Sequence, residues 1–306
     1  MNPFGVGVAH GKMIWFGEHA VVYHHPAIAL PLTDKRVTVK MDPSSKTELI
    51  SPFFNGPLSM GQGFDGLVAL MEALRERLPI GEVTLTLTTD IPVGAGFGAS
   101  AAIASAIVQA AYDLTDTPLD AGTHFDLIQH SESYFHTNPS GIDAYLSIHN
   151  DALRYRKDQS PESLTIDLDA HLVVVYSNVK GSTKTAVESI QTMMTKKSNT
   201  RKMADLGHLT LDALEAIKQK DILGLGQLMT KAHTYLKHFK VSHPVLDELV
   251  DQAMHSGALG AKLSGGGLGG IMIALFRSYD QSKAFQEALH ADGYSHAFIR
   301  SLAYDS

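Results

Sequence analysis

The 306-residue sequence predicts an α+β architecture. Two observations carry that prediction. Short strand patterns and helical patterns interleave along the whole chain in a split β-α-β order. Two glycine-rich loops also punctuate it: residues 91–102 (IPVGAGFGASAA), entering a helix from a strand, and residues 261–270 (AKLSGGGLGG), between two apolar strands.

The first third is strand-rich, with apolar or alternating runs at 4–9, 13–16, 27–30 and 36–41 separated by Gly, His and Pro. Leu67, Leu70, Met71 and Leu74 recur at helical spacing and predict a helix over 64–77. Residues 82–88 (EVTLTLT) alternate, which puts Val83, Leu85 and Leu87 on one face of a half-buried strand leading into the first glycine loop. Helices are expected over 99–114 and 118–135. The polar turn 136–141 and a strand pair near 152–156 and 164–168 follow. The charged, turn-rich KDQSPES interrupts the pattern, so a domain boundary is placed within 157–170, giving domains 1–165 and 166–306. The second half predicts a strand at 171–177 and helices at 184–194, 203–218, 222–239 and 244–256. A strand at 258–263, a loop at 264–270, a strand at 271–276, a helix at 281–291 and a last strand at 297–302 complete it.

Composition is that of a soluble globular protein, 44% hydrophobic and 19% charged. A net charge of −7 gives no general attraction to nucleic acid or anionic membranes, so an anionic substrate needs a locally positive pocket. The absence of Cys excludes disulfides, thiolate metal sites and a Cys nucleophile, and fits the cytoplasm. The N-terminal residues lack the basic start and apolar core of a signal peptide, and no segment reaches 18 uninterrupted apolar residues. The 16 His are scattered and none falls in HExxH, which argues against a dedicated zinc site.

Gly94, Gly96 and Gly98 precede a helix whose N-terminus would aim unpaired N–H groups and a positive dipole end at one spot. That spot suits a phosphate, although a tight turn without ligand also fits. No Lys follows the glycines, so this is not GxxxxGK[ST], and the spacing does not fit GxGxxG. In residues 11–30 (GKMIWFGEHAVVYHHPAIAL), Lys12 and then Gly17-Glu18-His19 interrupt apolar runs, a local inconsistency expected at functional sites but shared by surface bends. Residues 132–143 (ESYFHTNPSGID) turn through Asn-Pro-Ser-Gly into Asp143. A carboxylate held on such a rigid backbone suits a general base, or a helix cap. Glu132 alone reads as a solvated helix residue. The glycines of 265–270 suit close approach to the backbone, or a flexible hairpin.

Together these segments resemble, in order and separation, the three motifs of the GHMP small-molecule kinases. Within them GKMIWFGEHAVVYHHPAIAL is most similar to the mevalonate kinase family, particularly its compact bacterial form. VSHPVLDEL at 241–249 also matches, and the likeness spans residues 6 to about 275. The resemblance implies an N-terminal ribosomal-protein-S5-like α/β domain, a C-terminal ferredoxin-like domain and an active site in the cleft between them. It implies ATP at Pro92, Gly94, Ala95, Gly96, Phe97, Gly98, Ala99, Ser100 and Ala101, with Mg²⁺ on Ser100 and Glu132. Asp143 and Lys12 would be catalytic, and Glu18, His19, Thr183, Gly265 and Gly266 would meet mevalonate. The implied reaction is phosphorylation of the C5 hydroxyl of (R)-mevalonate, in a cytoplasmic enzyme, compatible with a homodimer, with no nucleic-acid or membrane partner. Alternatives are phosphomevalonate kinase or a non-catalytic ligand-binding homologue. A phosphorylated substrate would want Arg or Lys near Glu18 and His19, where the sequence neighbours are His24 and His25. The chain departs from the pattern at Ala99, which drops a Ser; at Phe97, which would narrow the nucleotide entrance; and at His10 and Ile271.

Overall fold

The structure, a computed structural model, describes every residue except 1, 93, 135–140, 158 and 304–306. The Asn138-Pro139-Ser140 turn singled out above lies outside the described residues. The chain forms two compact units. One comprises Met1–Lys12, Pro31–Val93 and Phe97–Asn150, and the other Met13–Leu30, Gly94–Gly96 and Asp151–Ser306. Strands β1 (Gly5–Phe16) and β2 (Ala27–Pro43) each run from one unit into the other.

In the first unit β2 pairs antiparallel with β5 (Val83–Thr89), Val37 opposite Thr89 and Pro43 opposite Val83. On the far side of β5 lies β3 (Glu48–Ser51), parallel to it, followed by the hairpin partner β4 (Phe54–Pro57). The Val-Thr-Leu-Thr-Leu alternation of β5 buries Val83, Leu85 and Leu87 and leaves its threonines outward. Four helices complete the unit: α1 (Asp65–Arg77), α2 (Ala99–Leu114), α3 (Ala121–Glu132) and α4 (Ile142–Ile148). Helix α2 is apolar over most of its surface and packs against α1, α3 and α4. Its alanines bring it against the strand glycines Gly5 and Gly7, whose absent side chains would collide with the Ala110 and Ala106 carbonyls.

In the second unit a four-stranded antiparallel sheet has the order β11-β8-β10-β9, from β8 (His171–Tyr176), β9 (Gly260–Ser264), β10 (Ile271–Phe276) and β11 (Ala297–Ser301). Numbered by appearance that order is 4-1-3-2, the ferredoxin-like arrangement, with β10 buried along its whole length. Val173, Val175, Met272, Ala274 and Phe276 build the core with residues of α5 (Thr183–Met193), α6 (Lys197–Gln219), α7 (Ile222–His238), α8 (Pro244–His255) and α9 (Tyr279–Ala291). Two short strands, β6 (Ala152–Tyr155) and β7 (Glu162–Leu164), extend from Ala27–Ala29 of β2.

The mixed α+β expectation holds, with local differences. Residues 4–9 and 13–16 are one strand, because Gly11 and Lys12 continue the pleat instead of breaking it. Strands β3 (ELIS) and β4 (FNGP) were not expected, because neither segment shows an apolar run or a clean alternation. Helix α4 replaces the turn-to-strand passage expected around Asp143, and β7 precedes the strand expected at 164–168.

Candidate active site

The first glycine loop receives a lysine from elsewhere in the chain. Gly98 is the N-cap of α2, with φ near 72°, a left-handed conformation that favours glycine. A Cβ there would lie 2.9 Å from Lys12 Cγ and 3.0 Å from Cε, so the missing side chain is what lets the lysine stem cross the loop. The Lys12 backbone N–H donates to the Phe97 carbonyl at 2.8 Å, tying β1 to the turn. Ala95, Phe97, Ala99 and Ala101 bury their side chains, and Gly94 and Gly96 are exposed, so the loop presents backbone to solvent. Phe97 is 2% exposed; its ring belongs to the interior, so it does not narrow a nucleotide entrance as expected.

Lys12 Nζ lies 3.2 Å from Asp143 Oδ1, with the Lys12 side chain almost buried and Asp143 about a third exposed. Asp143 is not a helix cap. Gly141 takes that place, and Asp143 sits one residue into the first turn of α4, where the helix dipole favours its charge. Glu132 ends α3 and is 2% exposed, contrary to the solvated position expected of it. Burial, then the neighbouring Asp143 charge, pushes its carboxyl up to about 7, against a hydrogen bond from the Ser100 side chain and the attraction of Lys12. The structure therefore brings four predicted residues, Lys12, Ser100, Glu132 and Asp143, into one electrostatic cluster beside the N-terminus of α2.

A second cluster forms in the other unit. Glu18 is wholly buried and pairs with Lys262 of β9, which is 0% exposed. Burial raises the Glu18 carboxyl and lowers the Lys262 ammonium, while their mutual attraction opposes both shifts. Lys262 Nζ also donates to the Leu263 carbonyl at 2.8 Å. His19 is buried in a left-handed conformation, φ 60°, and its Nε2 lies 3.0 Å from the Gly266 carbonyl. Burial lowers this imidazole to about 4, so it is neutral at pH 7. A carbonyl only accepts, so the Nε2 carries the proton and Nδ1 is left as an acceptor. Thr183 opens α5 beside the third motif, its Oγ1 where a Cβ on Gly266 would fall. Gly265 adds a backbone hydrogen bond to the Glu18 carboxyl. The five substrate-side candidates thus converge on one corner of the second unit.

Known proteins match this arrangement along nearly its whole length. The GHMP kinases N terminal domain family matches residues 66–151, and the GHMP kinases C terminal family residues 213–295. A mevalonate kinase of Thermococcus sibiricus is 32% identical over 87% of this chain and 87% of its own length. The chain belongs to the GHMP kinases. Its matched relatives place it on the mevalonate kinase branch. The mevalonate kinase of Aeropyrum pernix is 28% identical and covers 96% of this chain and 95% of its own. The crystal structure of L. major mevalonate kinase in complex with R-mevalonate superposes with a TM-score of 0.83 at 25% identity, covering 98% and 97%.

Two features of this GHMP kinase escaped sequence reasoning. Lys262 puts a cation on Glu18 although its sequence neighbours offered none. Its charge is spent on that carboxylate in a dry interior, so it is not available to a substrate phosphate. The signal was a Lys at a position of β9 where every residue is buried. The second is Lys180, which precedes α5 and whose side chain lies 3.3 Å from where a Cβ on Gly94 of the first glycine loop would stand. Among the described residues no group of three or more His, Cys, Asp or Glu is placed to hold a metal, and no helix is long and apolar enough to cross a membrane.

Proposed function

We propose that this kinase transfers the γ-phosphoryl group of ATP to the C5 hydroxyl of (R)-mevalonate. The observation that carries the reading is the Lys12–Asp143 pair at 3.2 Å, with the stem of Lys12 laid across Gly98 at the head of α2. One cation thereby serves both the loop that would cradle the triphosphate and the carboxylate that would meet the alcohol. The alcohol oxygen attacks the γ-phosphorus, its bond to the β–γ bridging oxygen breaks, and ADP leaves. Asp143 orients the hydroxyl and accepts its proton, and Lys12 stabilises negative charge growing on the oxygen. Exposed amides of the glycine loop and the α2 dipole hold the phosphate oxygens.

The residues also fit Mg²⁺. Its usual sites in phosphoryl transfer take one or two protein oxygens, waters and substrate phosphates, so a larger side-chain cage is not required. Ser100 and Glu132 supply hard oxygen donors, and a carboxyl pushed to about 7 by burial and a like charge is one that a cation would return to its ionised form. When bound, the ion would neutralise charge on the β- and γ-phosphates. On the substrate side, neutral His19 offers an acceptor nitrogen to an alcohol, and Glu18, Thr183, Gly265 and Gly266 frame it. Against a phosphorylated substrate stands the neutralised, buried state of Lys262.

An ADP-release assay with mevalonate, phosphomevalonate, homoserine and galactose, and product NMR to locate the phosphate, tests the proposal. Turnover of mevalonate with label at C5 is expected. Turnover of galactose or phosphomevalonate without mevalonate would overturn it.

A further inference from the structure

We infer that Lys180 is a second phosphate-binding cation of the glycine loop, positioned for the triphosphate of the nucleotide; the inference rests on the reading that this loop holds ATP. The loop carries no lysine of its own, so its positive charge must come from other segments. Lys12 crosses Gly98, but its ammonium faces Asp143 at 3.2 Å, so much of its charge is already answered. Glu132 adds a further acid to the same cluster. Among the described residues of that cluster, the two carboxyl groups of Glu132 and Asp143 outnumber the one cation, Lys12, so the cluster holds no surplus positive charge with which to meet a polyanion.

Lys180 supplies it at the other end of the loop. A Cβ built on Gly94 would lie 3.3 Å from Lys180 Cε and 3.9 Å from its Nζ. Gly94 stands at φ 79°, a conformation that favours glycine, and the lysine stem lies beside the space a side chain there would take. Lys180 is exposed, and among the described residues it has no ion-pair or hydrogen-bond partner. An exposed ammonium with an unanswered charge, whose stem lies beside Gly94 of the loop, is equipped for an anion. Its base is fixed as well. Val179 accepts from Gly270 N–H at 2.8 Å, Gly181 abuts the Gly267 carbonyl, and Ser182 caps α5. The segment bearing Lys180 is thus fastened to the third glycine motif, which sets the height of the lysine over Gly94.

The test compares wild type with Lys180→Met, which keeps the aliphatic stem, with Lys180→Arg, which keeps the charge, and with Lys218→Met, an exposed lysine on α6, as control. Isothermal titration with ATP, ADP, AMP and adenosine, each with Mg²⁺ and without mevalonate, reads the phosphate dependence directly. Lys180→Met should weaken ATP binding about ten-fold and ADP binding less, and leave adenosine unchanged. KM for ATP should rise with it while KM for mevalonate holds, and Lys180→Arg should recover most of the loss. The dependence of ATP affinity on salt should also flatten in Lys180→Met. Equal ATP affinity in wild type and Lys180→Met, or an equal loss for adenosine, would overturn the inference. If the wild type itself bound ATP no better than adenosine, it would be the reading of the loop that fails.

Discussion

Replacing Lys262 with Met should turn a pH-indifferent part of the second unit into a pH-sensitive one. In the wild type the buried Glu18–Lys262 pair holds one proton whether it exists as ions or as neutral partners. The unfolded chain near neutrality also holds one, on the lysine. Folding stability therefore gains no slope from the pair. In Lys262→Met the folded protein keeps a wholly buried carboxyl that has lost the cation that held its pKa down, so Glu18 folds protonated. The unfolded chain ionises it above its ordinary value of 4.5. Folding then takes up one proton, and stability falls by about 1.4 kcal/mol per pH unit above 4.5 for as long as the native carboxyl stays protonated. Removing one partner of a buried ion pair costs about 3 kcal/mol or more, and here that cost grows with pH. At about 2–4 °C per kcal/mol, the midpoint should drop by about 6–12 °C at pH 7 and by less than half of that at pH 5.5. The double variant Glu18→Gln/Lys262→Met should recover most of the loss and show no slope. Thermal melts of the three proteins at pH 5.5 and 7 decide the matter. A deficit in Lys262→Met that is the same at both pH values would refute the reasoning, because a packing defect alone has no proton to exchange.

The remaining predictions concern the phosphoryl cluster. Asp143→Asn should cut kcat by at least about 10²-fold with an unchanged thermal midpoint, and Lys12→Met should do the same; steady-state rates near wild type would remove either from its role. In the ligand-free protein, Glu132 has a native carboxyl near 7 and an unfolded one near 4.5, so its contribution is full below 4.5 and is lost as pH rises through 7. Glu132→Gln should flatten that slope, and Mg²⁺ with ATP should flatten it in the wild type; melts from pH 5 to 8 show whether they do. Ser100→Ala should raise the Mg²⁺ concentration needed for half-maximal rate, which a metal titration at fixed ATP reads. An unchanged requirement would count against Ser100 as a ligand.

How much of this site the sequence discloses depends on how far apart the partners lie along the chain. The Gly94–Ala101 turn into α2 is legible because glycine spacing and the alanine run are local signals, and β5 is legible because its alternation is complete. The Glu18–Lys262 pair joins residues 244 positions apart, and no local pattern reports it. Lys180 is illegible for the same reason: it reaches Gly94 only through the fold. Glu132 looked solvated because a helix end shows no burial by itself; α3 packing on α1, α2 and α4 encloses it. Helix α4 has seven residues, too few to display a period, and the burial of the Phe97 ring has no local signal in a glycine-rich loop.

Helix α2 has a consequence for how nucleotide position is set. Thirteen of its 16 residues are buried, most of them alanine, and it is sheathed by three other helices with strand glycines pressed against its carbonyls. Such a rod cannot slide or tilt by a fraction of an ångström without repacking its neighbours. Its leading amides inherit that rigidity. The height at which a phosphate would sit is therefore a dimension of the surrounding interior, fixed by the volumes of methyl groups that no nucleotide ever touches. A single added methylene deep along α2 would move the cradle itself, and altered turnover in this kinase can originate well outside any list of contact residues.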